Sequence, residues 1–191
     1  RGLGDVYKRQ FLKEEGRYPE SIGMVLWSTD VYRADGEQVS QILHLMGVKP
    51  VWNQTGEVRD VEVIPLDELA RPRIDVTIRM SGIFRDTEQN YVKKHVEKTK
   101  RTIKDELKGK YEEKQVHRLA TYRIFAALPG GYGAGVNLAV AASAWKDEKD
   151  LGEVYINHGG YAYGKEDYGK KAHNLLAENL SRIEVSFHKL E

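Results

Sequence analysis

The residues best suited to shape a binding surface are concentrated between Tyr122 and Gly169. This stretch holds nine of the eighteen glycines and six of the eleven tyrosines. Glycine lets a backbone turn at positive φ or approach a ligand closely, and tyrosine offers a flat apolar face with a polar tip. Together they suit a wall against a large planar ligand. The structural alternative is a glycine-rich loop whose tyrosines fill the core.

Two glycine patterns in this stretch are similar to nucleotide-binding motifs, and both are incomplete. Residues 159–165 satisfy G-x-x-x-x-G-K, but Glu166 stands where a phosphate loop needs Ser or Thr for magnesium. The run at 130–135 does not match G-x-G-x-x-G, the dinucleotide fingerprint. We therefore expect neither ATP nor a dinucleotide to bind here.

Composition excludes several classes of function. The chain has no cysteine, and its six histidines show no closely spaced ligand set, so we expect no metal-binding site within it. A net charge of +1 argues against a dedicated nucleic-acid binder. No apolar run approaches the ~20 residues of a membrane span, and no signal peptide is recognisable. We expect a cytoplasmic protein.

The first part of the chain predicts a small Rossmann-like α/β unit over residues 11–86. The apolar run at 21–27 predicts a buried strand, and Val39, Ile42, Leu43 and Met46 follow the spacing of an amphipathic helix that ends at Gly47. Further strands are predicted at 49–52, 58–64 and 75–80. The fold class is α/β.

In such a sheet, ligands bind beyond the carboxyl ends of the strands. That rule brings Trp27 and Asp30, which follow the first strand, close to Ser81-Gly82 and Arg85-Asp86. The alternatives are a helix cap for Asp30 and a surface ion pair for Arg85.

Residues 87–191 are predicted to form a mainly helical region with Gly/Tyr-rich loops. We expect a basic helix within 91–118, a second helix at 115–127, an Ala-rich helix at 137–145 and a closing helix through residue 183. Residues 185–188 predict a strand that enters a further domain. Residues 1–10 have little periodicity and are interpreted as a non-native leader.

Several motifs, in order along the chain, resemble the large subunit of cobaltochelatase (CobN) and its relative, the large subunit of magnesium chelatase. They are Arg17-Tyr-Pro-Glu20, Met46-Gly-Val-Lys-Pro-Val-Trp52, Arg71-Pro-Arg73, Pro129-Gly-Gly-Tyr-Gly-Ala-Gly135 and Gly159-Gly-Tyr-Ala-Tyr-Gly164. The resemblance covers nearly everything from residue 11 onward. After Arg85-Asp86 the family continues with a helical stretch that this chain lacks, which indicates a deletion near Thr87.

The resemblance implies an internal fragment of a tetrapyrrole-binding subunit that inserts Co²⁺, or alternatively Mg²⁺, as the metal substrate. In this family, separate partner subunits of the AAA+ class hydrolyse ATP. The family motif expected to supply the catalytic base has no counterpart here, so no catalytic residue is assigned. A non-catalytic segment that docks partner subunits is the remaining alternative.

Within this chain, tetrapyrrole contact is expected at the tyrosines of the glycine-rich stretch. Tyr161 and Tyr163 are two residues apart, so an extended backbone would point both rings to one face. The full set of predicted contact residues is Tyr132, Tyr155, Tyr161, Tyr163, Trp27, Asp30 and Arg85.

Overall fold

A computed structural model describes residues 3–28, 36–56, 58–87, 122–164 and 167–187 of the 191-residue chain. In chain order, its helices and strands are α1 (Leu3–Glu15), β1 (Ser21–Leu26), α2 (Glu37–Met46), β2 (Val48–Trp52), β3 (Val58–Val63), α3 (Leu66–Leu69), β4 (Asp75–Met80), β5 (Ile124–Ala126), α4 (Val136–Ala141), α5 (Glu148–Gly159), β6 (Tyr161–Tyr163), β7 (Tyr168–Lys171), α6 (His173–Leu180) and β8 (Val185–Phe187). Residues 82–87 are also helical. This mixture confirms the α/β fold class.

Six strands form one sheet in the order β7-β6-β5-β4-β1-β8. Strands β5, β4, β1 and β8 are parallel, whereas β6 and β7 continue the sheet in antiparallel fashion. The nearly continuous apolar run of β1 fits its inner position, because a parallel strand is covered on both faces. The carboxyl ends of β1, β4 and β5 therefore meet at one edge of the sheet, here called the carboxyl edge.

Helices cover both faces of this sheet. On one face, the apolar stripe of α2 packs with buried side chains of β1, β4, β5 and β6 in the larger core cluster. On the other face, Phe125 and Ala162 pack with Leu176 of α6 in a smaller cluster. The molecule thus has a helix–sheet–helix arrangement around its central strands.

The end of α2 is fixed by a glycine C-cap and by two arginines. Gly47 adopts φ 76° and donates its backbone N–H to the carbonyl of His44, as a glycine C-cap should. Arg71 and Arg73 then donate to backbone carbonyls at the end of this helix, including those of Leu45 and Gly47. The Arg71-Pro-Arg73 motif therefore has a structural task in holding α2.

Several predicted elements are confirmed and others are corrected. Strands β1 and β4 and helix α2 lie where they were predicted. The strands predicted at 49–52 and 58–64 pair with each other in a separate two-stranded sheet rather than joining the main one. Within the predicted helix at 115–127, residues 124–126 are instead strand β5, and the Ala-rich helix α4 ends at residue 141.

The main sheet also crosses the predicted boundaries between regions. Strands β5 to β8 all lie beyond residue 86, yet they belong to the same sheet as β1 and β4. Strand β8 pairs with β1, with Ile22 opposite Val185, instead of entering another domain. Helix α1 runs through residue 10, where the leader was expected to end. The basic helix predicted at 91–118 lies outside the described residues.

Candidate functional site

Three segments meet at the carboxyl edge. Trp27 and Ser28 follow β1, Ser81 and Gly82 follow β4, and the glycine-rich loop, defined as residues 128–135, follows β5. The Ser81 amide donates to the Leu26 carbonyl at 2.9 Å, which ties the first two segments together. The expected neighbourhood of Trp27, Ser81 and Arg85 is therefore present. Asp30, the other residue predicted there, lies outside the described residues.

Gly82 packs directly against the glycine-rich loop. A Cβ atom at this position would lie 2.5 Å from Cδ1 of Tyr132 and 2.7 Å from the carbonyl oxygen of Gly131. Real Cβ atoms do not approach other heavy atoms this closely. The absence of a side chain at residue 82 therefore lets the Tyr132 ring rest on the end of β4.

Arg85 is completely buried beneath the glycine-rich loop. Its Nη1 atom donates to the backbone carbonyls of Ala127 (2.8 Å), Leu128 (2.6 Å) and Gly131 (3.2 Å). Its Nε and Nη2 atoms donate to the two carboxylate oxygens of Asp86, at 2.7 and 2.9 Å. Arg85 therefore does form an ion pair, with the partly exposed Asp86, but its own side chain is buried and makes no direct contact with a ligand.

Asp86 connects that arginine to Tyr132. The Tyr132 hydroxyl donates to Asp86 Oδ2 at 3.2 Å, and the ring centroid lies 5.8 Å from Cζ of Arg85. Hydrogen bonds from Arg85 hold the pKa of the Asp86 carboxyl below its ordinary value. Asp86 is therefore ionised at neutral pH and is a weak candidate for a general base.

A second buried arginine, Arg79 of β4, lies under the other end of the loop. Its Nη2 donates to the Gly133 carbonyl at 3.3 Å and its Nη1 to the Met80 carbonyl at 3.1 Å. The guanidinium packs against Gly159, the last residue of α5, and lies 5.6 Å from the Tyr155 ring centroid. Burial lowers the pKa of Arg79. The carbonyl end of a helix carries partial negative charge, which offsets part of that cost.

His158 supports the loop from the same helix. Its Nε2 lies 3.0 Å from the Tyr132 carbonyl oxygen, within hydrogen-bonding distance. Its ring also touches Gly135, where a Cβ atom would come within 2.9 Å of Cγ. The loop is thus held from β4, from the helical turn at 82–87 and from α5.

Large apolar side chains remain exposed around this anchored loop. Trp27, Ile83 and Tyr132 expose 40%, 56% and 56% of their surface, respectively. Ile83 follows Gly82 directly, and Trp27 follows the residue bonded to Ser81. The carboxyl edge therefore combines a rigid backbone with flat apolar surface.

The other predicted tyrosines have different surroundings. Tyr155 is half-buried beside Arg79. Tyr161 packs edge-on against His173, with ring centroids 5.0 Å apart, and borders the larger core cluster. Tyr163 is completely buried and donates its hydroxyl to the Ala127 carbonyl at 2.6 Å. The expected two-ring platform is corrected for Tyr163, because its ring has no free face for a ligand.

The residues that sequence reasoning missed are Arg79 and His158. Arg79 did carry a signal, because it is the one basic residue within the otherwise largely apolar strand predicted at 75–80. A charged residue inside such a strand costs free energy unless it is satisfied. Its presence therefore predicts a buried partner, although the sequence does not say which one.

His173 yields a prediction about pH. Burial, with a smaller contribution from Lys171, lowers the pKa of His173, and its Nε2 has no hydrogen-bond partner in the described part of the chain. Folding therefore favours the neutral ring. The stability it contributes is complete above the unfolded-state pKa of about 6.5 and is lost as pH falls through the lower folded-state pKa.

Accordingly, as pH falls from 7.5 to 5, the free energy of unfolding of the native chain should decrease relative to that of a His173→Asn variant. Urea titrations across that range measure it, and other titrating groups cancel in the difference. A pH-independent difference would contradict the assignment.

No metal site is formed by the described residues. Within them, no group of three or more His, Asp or Glu side chains could hold a metal ion. None of the helices in the same ranges is long and apolar enough to cross a membrane. The pattern G-x-x-x-x-G-K also lacks phosphate-loop geometry, because Gly159 ends a helix and Tyr161–Tyr163 form strand β6.

The fold and this edge define an open-sheet α/β protein whose candidate site lies where parallel strands end. The family model described as CobN/Magnesium Chelatase matches residues 3–88 and 87–191. The chain therefore belongs to the CobN/magnesium chelatase family. The two matched segments meet near Thr87, where the sequence predicts a deletion.

Individual relatives agree with this assignment. An uncharacterized protein of Methanocaldococcus jannaschii is 43% identical over 96% of this chain and 16% of its own length. The aerobic cobaltochelatase subunit CobN of Pseudomonas aeruginosa is 36% identical over 93% of this chain and 16% of its own length. The chloroplastic magnesium-chelatase subunit ChlH of Oryza sativa subsp. japonica is 36% identical over 83% of this chain and 12% of its own length.

A solved structure shows the same fold. The catalytic subunit of cobaltochelatase from Mycobacterium tuberculosis superposes with a TM-score of 0.86 at 32% identity. The similarity covers 97% of this chain and 17% of that chain. The chain thus spans about one sixth of the length of the relatives it matches.

Proposed function

We propose that this chain is a segment of the tetrapyrrole-binding large subunit of an ATP-dependent cobaltochelatase, which inserts Co²⁺ into a corrin precursor in cobalamin biosynthesis. The observation that carries the proposal is the anchored glycine-rich loop at the carboxyl edge, with Trp27, Ile83 and Tyr132 exposed beside it. A flat macrocycle needs such a surface, because aromatic contacts depend on rings held at fixed angles. Membership of a family of metal chelatases supports this ligand.

The part played by this segment is binding and orientation. Tyr132 and Trp27 would stack on the macrocycle, and the anchored loop would keep the rings in register with it. Metal insertion also requires a base to remove two pyrrole protons. Asp86 is poorly suited to that step because Arg85 stabilises its ionised form. We therefore place the base, and ATP hydrolysis by AAA+ partner subunits, outside this segment.

The metal distinguishes this proposal from its enzyme alternative, the large subunit of a magnesium chelatase acting on protoporphyrin IX. The named cobalt and magnesium relatives reported above are equally identical to the chain, at 36%. The choice of cobalt rests on the sequences of residues 46–52 and 129–135, which resemble the cobalt branch of the family more closely than the magnesium branch. The non-catalytic docking segment remains the other alternative, and the burial of Tyr163 favours it.

Ligand titration of the full-length subunit tests the proposal. We expect the corrin precursor to bind more tightly than protoporphyrin. Replacing both Trp27 and Tyr132 with leucine should weaken its binding about tenfold or more, because each stacked ring contributes roughly 0.5–1.5 kcal/mol. The matched control replaces Trp145 and Tyr168, which are 41% and 50% exposed, with leucine and should leave affinity unchanged.

Two outcomes would contradict the proposal in different ways. Tight binding of protoporphyrin without binding of the corrin precursor would assign the chain to the magnesium branch. If the native subunit, the Trp27/Tyr132 variant and the control bound the tetrapyrrole with equal affinity, the ligand would not bind at this edge. That second result would favour the docking segment.

A further inference from the structure

Arg85 has no surface from which to touch a ligand. The guanidinium of Arg85 donates from Nη1 to three backbone carbonyls, and from Nε and Nη2 to the two oxygens of one carboxylate. The residue is completely buried. Its contribution to any site at the carboxyl edge must therefore be made through its neighbours.

Those neighbours converge on one exposed ring. Asp86, held in place by Arg85, accepts the hydroxyl of Tyr132 at 3.2 Å, and the ring centroid lies 5.8 Å from the arginine. The carbonyls bound by Arg85 belong to the turn that leads into Tyr132. Arg85 is thus linked to Tyr132 through the backbone, through Asp86 and through the ring itself.

Tyr132 needs such external support because its own backbone supplies little. It stands between Gly131 and Gly133, and Gly133 adopts φ 72°. Glycine on both sides leaves many backbone conformations open. A lysine at position 85 could not replace the arginine, because an ammonium is a point charge without the planar fork that spans carboxylate and carbonyls.

We propose that Arg85 is a positioning residue that acts through Asp86 to fix the angle of the Tyr132 ring and thereby sets the affinity of the carboxyl edge for a flat macrocycle. The identity of that macrocycle as a tetrapyrrole rests on the function proposed above. The fixing of Tyr132 does not, and it can be measured without any ligand.

The ligand-free measurement uses ¹⁹F NMR of the chain labelled with 3-fluorotyrosine, with the Tyr132 signal assigned by its loss in Tyr132→Phe. Arg85→Lys should shift and narrow that signal, because the ring becomes free to reorient. Asp86→Ala, which alters an exposed residue and keeps the backbone carbonyls that Arg85 binds, should do the same. Arg123→Lys is the matched control, since Arg123 is also buried but pairs with Asp75 at the opposite end of β4.

The second measurement is a double-mutant cycle on corrin-precursor affinity in the full-length subunit. Arg85→Lys and Tyr132→Leu should each weaken binding several-fold to tenfold, and the double variant should be no weaker than the worse single variant. A purely structural role for Arg85 would make the two losses multiply. Arg123→Lys should lower the melting temperature without changing affinity.

These results separate the two proposals. An unchanged Tyr132 signal in both Arg85→Lys and Asp86→Ala, or multiplicative losses in the cycle, would overturn the positioning role. Failure of the native subunit to bind any tetrapyrrole would instead overturn the proposed function. In that case the ¹⁹F spectra still decide whether Arg85 fixes Tyr132.

Discussion

Replacing Gly159 with alanine is expected to lower the free energy of unfolding by about 3 kcal/mol, as severe overpacking of a core does. The new Cβ atom would lie 2.5 Å from Cζ and Nη2 of Arg79 and 2.6 Å from its Nε. Arg79 cannot yield cheaply, because it is buried and holds the Gly133 carbonyl. Either the end of α5 moves off the sheet or the guanidinium loses its hydrogen bonds. Urea denaturation followed by circular dichroism measures the change.

Gly152 provides the control within the same helix. It is exposed, and a Cβ atom there would meet nothing within 4 Å. Gly152→Ala should therefore stabilise the chain by roughly 0.5–1 kcal/mol, because alanine loses less backbone entropy in a helix. Equal effects of the two substitutions would show that α5 does not pack on Arg79 in this way.

Replacing Tyr163 with leucine should lower the free energy of unfolding by about 3 kcal/mol, from the cavity left by the ring and the loss of a buried hydrogen bond. Tyr163 is completely buried, its hydroxyl reaches the Ala127 carbonyl at 2.6 Å, and its ring packs edge-on against Tyr168 at 5.2 Å. Burial also raises the pKa of Tyr163, which keeps the hydroxyl protonated as a donor. Thermal and urea unfolding measure the loss.

Phenylalanine at position 163 separates the two contributions. Tyr163→Phe keeps the ring and loses only the hydroxyl, so we expect a loss of about 1 kcal/mol. If Tyr163→Leu left stability unchanged but weakened tetrapyrrole binding in the full-length subunit, the interpretation of Tyr163 as a ligand contact would be restored.

Elements with a long, regular pattern could be predicted from sequence. The stripe of Val39, Ile42, Leu43 and Met46 defines one face of α2, and that face packs on the sheet. Gly47 marks the end of the helix because its positive φ is open mainly to glycine. Strand β1 was predictable because a buried parallel strand is a nearly continuous apolar run. Strand β4 was predictable because Val76, Ile78 and Met80 alternate with polar residues.

Short strands could not be predicted in the same way. Strand β5 has only three residues, Ile124–Ala126, and is followed by Ala127, so its composition suits a helix equally well. Its strand conformation depends on pairing with β4 and β6, which are distant in sequence. The pairing of β8 with β1 is likewise a tertiary contact without a local signal.

The tyrosines of β6 show that a correct local rule for side-chain direction does not predict burial. Tyr161 and Tyr163 do share a face, as their spacing predicts, because both border the larger core cluster while Ala162 belongs to the smaller one. The sequence does not reveal that Tyr163 is completely buried there and that Tyr161 packs edge-on against His173. Tyr132, in a loop, was predictable as an exposed ring, but its link to Asp86 was not.

The position of β1 between β4 and β8 has a consequence for folding of the chain during translation. Strand β1 is made early, yet β8 emerges at the very end of this segment, at a translation rate of about 5–20 residues per second. For on the order of ten seconds, one edge of β1 therefore lacks its final partner. Glu184, just before β8, then connects this strand to the segment before β1, because it accepts two hydrogen bonds from Arg17 and one from the Glu20 amide. A nascent chain halted before residue 184 would consequently present an open apolar strand to chaperones or to a neighbouring nascent chain.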